Sequence, residues 1–185
     1  MTLKELKQKV LVLIEEYDPD SDTLTADNDI ENKMNDVINQ IMFEICRVKK
    51  IPKYIAMDVS AGDQIDFEAL EAECGYAIYQ VKRVTGVEYE ERADGTILKM
   101  LESGKAEIDV YVYPEAITSK TKDSYEFELT ADVLEVMPYG IAADLLATDV
   151  SSNYKEFKER YETMLTRLDA RNHMPMISIV GGIDV

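Results

Sequence analysis

The chain has 185 residues, 46% of them hydrophobic, enough for one domain with a real core. Its 20 Lys and Arg face 37 Asp and Glu, a net charge of −17, which repels nucleic-acid phosphates and argues against sequence-specific DNA binding. No apolar run approaches the ~20 residues that span a bilayer, so no membrane is expected as a partner. Two cysteines and one histidine cannot build a zinc site alone.

The opening MTLKELKQKVLVLIEEYD reads as an amphipathic helix over about residues 2–17, not as a signal peptide. Thr2 and Glu5 have capping-box spacing, and Leu3, Leu6, Val10, Leu13 and Tyr17 fall on one face. Asp18-Pro19-Asp20 ends it, and SDTLTADND is a polar loop. A second helix starts near Asn28, with the stripe Ile30, Met34, Val37, Ile41, Ile45 and Val48, and Pro52 closes it. Cys46 lies in this helix. A disulfide between Cys46 and Cys74 stays open, but two unflanked cysteines more often mean buried or incidental thiols of a reducing cytosol.

After Pro52 the period changes. In KAEIDVYVYP (105–114), Ala106, Ile108, Val110 and Val112 alternate with Glu107, Asp109, Tyr111 and Tyr113, as in a half-buried strand. TILKML is a short strand between Asp94-Gly95 and Ser103-Gly104 turns. YAIYQVKRVTGVEYEE holds one or two more strands, broken at Gly86. The segment DFEALEAEC (66–74) fits either a short helix or a polar excursion.

Helical spacing returns at Thr130, with Leu129, Val133, Val136, Met137, Ile141, Leu145 and Leu146 on one face. The last helix starts at Ser151 or Ser152, with the stripe Tyr154, Phe157, Tyr161, Met164, Leu165 and Leu168. The short connection makes these two helices antiparallel neighbours. Pro175 stops the second, and ISIV begins a β-prone tail.

The expected fold is therefore α+β. It is an antiparallel bundle of about four helices, with a β-rich insertion between the second and third helices and an extended C-terminal tail. The divisions fall at 1–52, 53–129, 130–172 and 173–185.

Candidate chemistry is sparse. Gly181-Gly182 has no helix after it and cannot cradle a phosphate. His173 has no Ser or Cys partner in a catalytic pattern. The cluster EYEERADG (88–95) lacks EF-hand spacing and reads as a solvated hairpin end. Tyr76, Tyr79, Tyr111 and Tyr113 read as cross-strand packing partners. Without tryptophan or interleaved basic residues, they do not read as a stacking platform for nucleic acid. No catalytic residue, cofactor or metal is expected.

One stretch breaks the helical rules. VMPYGIAADLLATD places Pro138 and Gly140 at the head of an Ala/Leu-rich helix. Pro138 fits a helix start or a kink, and Gly140 leaves room for a neighbouring backbone. Joined to SSNYKEFKERYETMLTRLD, the stretch resembles the C-terminal helix pair of tailed-bacteriophage head–tail connector (adaptor) proteins. The matching positions are Tyr139, Ala142, Ala143, Asp144, Leu145 and Leu146, then Tyr154, Phe157, Tyr161 and Leu165. DIENKMNDVINQIMFEICRVKKIP is similar to the family's N-terminal helix, while the β-rich segment is longer than a minimal connector needs.

The resemblance implies a non-enzymatic subunit that forms a homo-oligomeric ring under the portal protein. It would sit in the virion neck, and in the host cytoplasm during assembly. A tail or head-closure protein attaches to such a ring, and DNA passes through its lumen without sequence-specific binding. On this view Ile177, Ile179, Val180, Ile183 and Val185 of the tail bind the portal or a neighbouring subunit. Two other functions compete: a small acidic adaptor that binds a protein partner through an exposed β edge, and a carboxylate-dependent hydrolase.

Overall fold

A computed structural model describes residues 1–15, 17–18, 23–24, 28–147 and 153–172. Helix α1 (Leu3–Leu13) starts at a capping box: Glu5 N donates to Thr2 Oγ1 at 3.2 Å, and Thr2 N donates to Glu5 Oε2 at 2.8 Å. It is shorter than its stripe implies. The chain leaves the helix at Ile14, Glu15 takes φ 61°, and Tyr17 enters a two-residue strand β1 (Tyr17–Asp18) paired with β2 (Thr23–Leu24). Tyr17 is therefore not on the helix face. Helix α2 (Asn28–Val48) follows and buries Met34, Ile38, Ile41, Met42 and Ile45.

The chain then turns into β3 (Ile51–Val59). Pro52 lies inside this strand, opposite Tyr111. It is tolerated because β3 is the edge of its sheet. Next come β4 (Gln64–Asp66), α3 (Phe67–Cys74), β5 (Ile78–Thr85), β6 (Tyr89–Arg92), β7 (Ile97–Met100) and β8 (Gly104–Val112). The ambiguous DFEALEAEC segment is thus a helix. Asp66 Oδ1 accepts from Ala69 N at 2.9 Å, and Leu70 is fully buried.

The strands form two antiparallel three-stranded sheets, β3-β8-β5 and β4-β7-β6. Gly86, at φ 90°, separates β5 from β6, and a Cβ there would run into the Lys105 carbonyl oxygen. The inner faces share one core that includes Leu70, Leu98, Met100, Ile108 and Val110.

The last helices are α4 (Ala131–Leu146) and α5 (Tyr154–Asn172). A second core joins α1, α2, α4 and α5 around Leu6, Ile38, Met42, Ile45, Met137 and Ile141. The link from β8 to α4 is held from two sides. Asn39 Nδ2 donates to Ile117 O at 2.8 Å, and Ile117 N donates to Asn39 Oδ1 at 2.7 Å. Leu3 N donates to Tyr125 O at 2.8 Å.

This architecture corrects the expected four-helix bundle with an insertion. The described residues form five helices and two three-stranded sheets, with a sheet-rich middle and helices toward the ends of the chain. The physical reason is the strand pattern of residues 51–112. Two nine-residue strands, β3 and β8, pair along their whole length and bury a core of their own, roofed in part by α3. Such a unit is not an appendage of a bundle. Among the described residues, no helix is long and apolar enough to cross a membrane.

Candidate functional site

Helices α4 and α5 form the best-defined feature that the sequence singled out. Helix α4 is apolar nearly all round: Val133, Val136, Met137, Pro138, Gly140, Ile141, Ala142 and Ala143 are buried. It starts at Ala131, so Pro138 lies inside the helix and is not its first residue. Proline has no N–H to give the carbonyl of Leu134, one turn back. A Cβ on Gly140 would lie 2.8 and 2.9 Å from ring atoms of Tyr161 and 3.0 Å from Ile41 Cγ2. The missing side chain is what lets α5 and α2 press against α4 at that level.

The resemblance positions are brought together unevenly. Ala142, Ala143 and Tyr161 are buried; Tyr139, Leu145, Leu146, Phe157 and Leu165 are half-buried against the helical core. Tyr154 is half-buried, with Lys158 Nζ 6.0 Å from its ring centroid. Asp144 accepts from Gln40 Nε2 at 3.0 Å, and partial burial raises its pKa against the pull of Lys158. Tyr161 Oη has no hydrogen-bond partner among the described residues. Burial first, and then the nearby Glu44 carboxylate, raise its pKa, so the phenol stays neutral. Ser151, Ser152, His173 and the tail residues Ile177, Ile179, Val180, Ile183 and Val185 lie outside the described residues.

Beside this pair, α1, α4 and α5 border an open groove of about 840 Å³. Val12, Leu134, Pro138 and Met164 give it apolar walls, and Val12 is 57% exposed. Arg160 lies at its rim with the guanidinium 4.3 Å from the Tyr139 ring centroid.

The tyrosines of the β region hold a feature that the sequence did not reveal. On the outer face of β3-β8-β5, Tyr79 stacks with Tyr111 at 6.2 Å and meets Tyr113 at 4.7 Å. Tyr79 Oη donates to Cys46 O at 2.9 Å, and Arg47 Nε donates to Tyr113 Oη at 2.7 Å. Lys50 Nζ and Lys82 Nζ sit 4.9 and 5.8 Å from the Tyr111 ring centroid. Basic side chains are thus interleaved with tyrosines in space, though not in sequence. Register shifts in β5 between Ile78 and Gln80 and between Val81 and Arg83 insert Tyr79 and Lys82 into the strand. Tyr76 belongs elsewhere: it precedes β5, lies under Lys53 Nζ at 4.2 Å, and donates to Glu128 Oε2 at 3.1 Å.

The acidic EYEERADG stretch forms β6 and the turn into β7. Glu88, Glu90, Glu91 and Asp94 are exposed, and Glu90 pairs with Arg92 at 3.1 Å. Among the described residues, no group of three His, Cys, Asp or Glu could hold a metal ion. Comparison with known proteins finds no match, either to a family model or to a curated sequence.

Proposed function

We propose that this chain is a structural, non-enzymatic subunit of a tailed-bacteriophage head–tail connector. Identical copies form a ring beneath the portal protein, DNA passes through the lumen, and a tail or head-closure protein attaches to the far side. The observation that carries the proposal is the α4–α5 pair, where the connector-like pattern coincides with close packing built around Gly140, Ala142, Ala143 and Tyr161. Two further features support it. The groove between α1, α4 and α5 offers apolar surface beside that pair for a neighbouring subunit or the portal. The net charge of −17 suits a lumen along which DNA slides without phosphate contacts.

The test is co-sedimentation of the purified chain with the portal protein of the same genome. Comigration in a fixed ratio is expected. A chain that stays at the top of the gradient at micromolar portal concentration defeats the proposal.

A further inference from the structure

The outer face of β3-β8-β5 carries an unusual local charge. Lys50 and Lys82 approach the ring of Tyr111, and neither has a carboxylate partner among the described residues. This occurs in a chain with nearly two acidic residues for every basic one. Of the carboxylates on the same face, Asp109 pairs with Arg83 at 2.9 Å, Glu107 meets the hydroxyl of Thr85 at 3.5 Å, and Asp58 lies exposed at the far end of β3, opposite Lys105. Tyr54, 59% exposed, projects from β3 opposite Asp109. A half-buried tyrosine with two ammonium groups against its ring, and no carboxylate beside them among the described residues, offers an electrostatic contact to an acidic partner.

The occupant follows from chemistry. Both ammonium groups lie against Tyr111, so that ring is not an open platform for a stacked base, while the ammonium groups remain able to take carboxylates. The same chain offers a matching acidic element on its other sheet, where Glu88, Glu91 and Asp94 lie exposed on and around β6, with Glu90 paired to Arg92. We infer that the Lys50–Lys82–Tyr111 face of one copy binds the acidic β6–β7 hairpin of a second copy. The two surfaces differ, so the contact is head-to-tail and repeats from subunit to subunit, as a ring requires. The inference deepens the connector proposal and rests on it for the closed ring; the pairwise contact can be tested alone.

The experiment is sedimentation velocity of the full chain across a concentration series at 150 mM salt, where long-range repulsion between acidic copies is largely screened. Concentration-dependent association is expected. Lys50→Glu with Lys82→Glu should weaken it about tenfold or more, as two exposed charge pairs become repulsive. Lys120→Glu with Lys122→Glu, an exposed pair outside this face, has the same net charge and should leave association unchanged. Glu88→Lys with Glu91→Lys should weaken it as well, and mixing this variant with the Lys50/Lys82 variant should restore it.

A parent chain that stays monomeric, or a Lys50/Lys82 variant that associates like the parent, overturns the inference. So does a labelled 20-nucleotide single strand that binds in a Lys50- and Lys82-dependent way, since the face would then serve nucleic acid. If the Lys50/Lys82 variant still comigrates with the portal at the parent's ratio, this contact is wrong while the connector proposal stands.

Discussion

Replacing Gly140 with alanine sets two opposed effects against each other. Alanine in a helix interior gains about 1 kcal/mol over glycine. Against this, the new Cβ would sit 2.8 and 2.9 Å from the Tyr161 ring and 3.0 Å from Ile41. Neither neighbour can swing away, because Tyr161 is 6% exposed and Ile41 is 2% exposed. Overpacking of this kind costs about 1–3 kcal/mol. The net is a loss of up to about 2 kcal/mol, which at its upper end is roughly 4–8 °C in Tm for a chain of this size. Thermal and urea unfolding of Gly140→Ala followed by far-UV circular dichroism measure it. Clearing the obstruction with Tyr161→Leu should remove the penalty, so that alanine at 140 becomes neutral or stabilising in that background. If Gly140→Ala alone were more stable than the parent by the full ~1 kcal/mol of the helix-propensity gain, the close approach of α4 to α5 and α2 would be wrong.

Other outcomes follow from single contacts. Asn39→Ala removes both hydrogen bonds to the Ile117 backbone and should cost about 1–3 kcal/mol in urea denaturation, without loss of helix content. The Asp132 pKa is lowered first by the Thr130 hydroxyl, then by the Lys49 ammonium at 3.5 Å and the Val133 N–H. Its contribution is therefore present above the unfolded carboxyl pKa of about 3.9 and is lost as pH falls through the lower folded value. Asp132→Asn should cost a fraction of ~1 kcal/mol at pH 7, with the difference closing as pH falls below the lowered folded pKa in a pH series of urea titrations. Burial pushes the Cys46 thiol up to about 12. An aromatic disulfide reagent at pH 8 should modify at most one thiol of the native chain and both after denaturation.

The stripes of α1, α2 and α5 were legible because each buries one face at helical spacing, α4 because it is apolar nearly all round, and β8 because its alternation is strict. Other features were set by distant partners. Nothing in IEEY marks the end of α1, yet the chain leaves the helix there and Tyr17 pairs with Leu24. Pro52 looked like a stop, yet an edge strand accepts it. The fold class departs from the expected bundle because strand length and pairing decide whether a β segment has its own core, and pairing between β3 and β8 joins residues far apart in sequence. The Tyr–Lys face was invisible for the same reason: Lys50, Tyr79, Lys82 and Tyr111 meet only through sheet register and two irregularities in β5. Of the proposed portal-binding positions, the sequence offered only composition, and they lie outside the described residues.

Electron microscopy of the chain mixed with the portal protein of the same genome bears most directly on its role. A connector subunit adds a closed ring of density beneath the portal, coaxial with its channel. Portal particles with no added density, beside free monomers of the chain, would contradict that role.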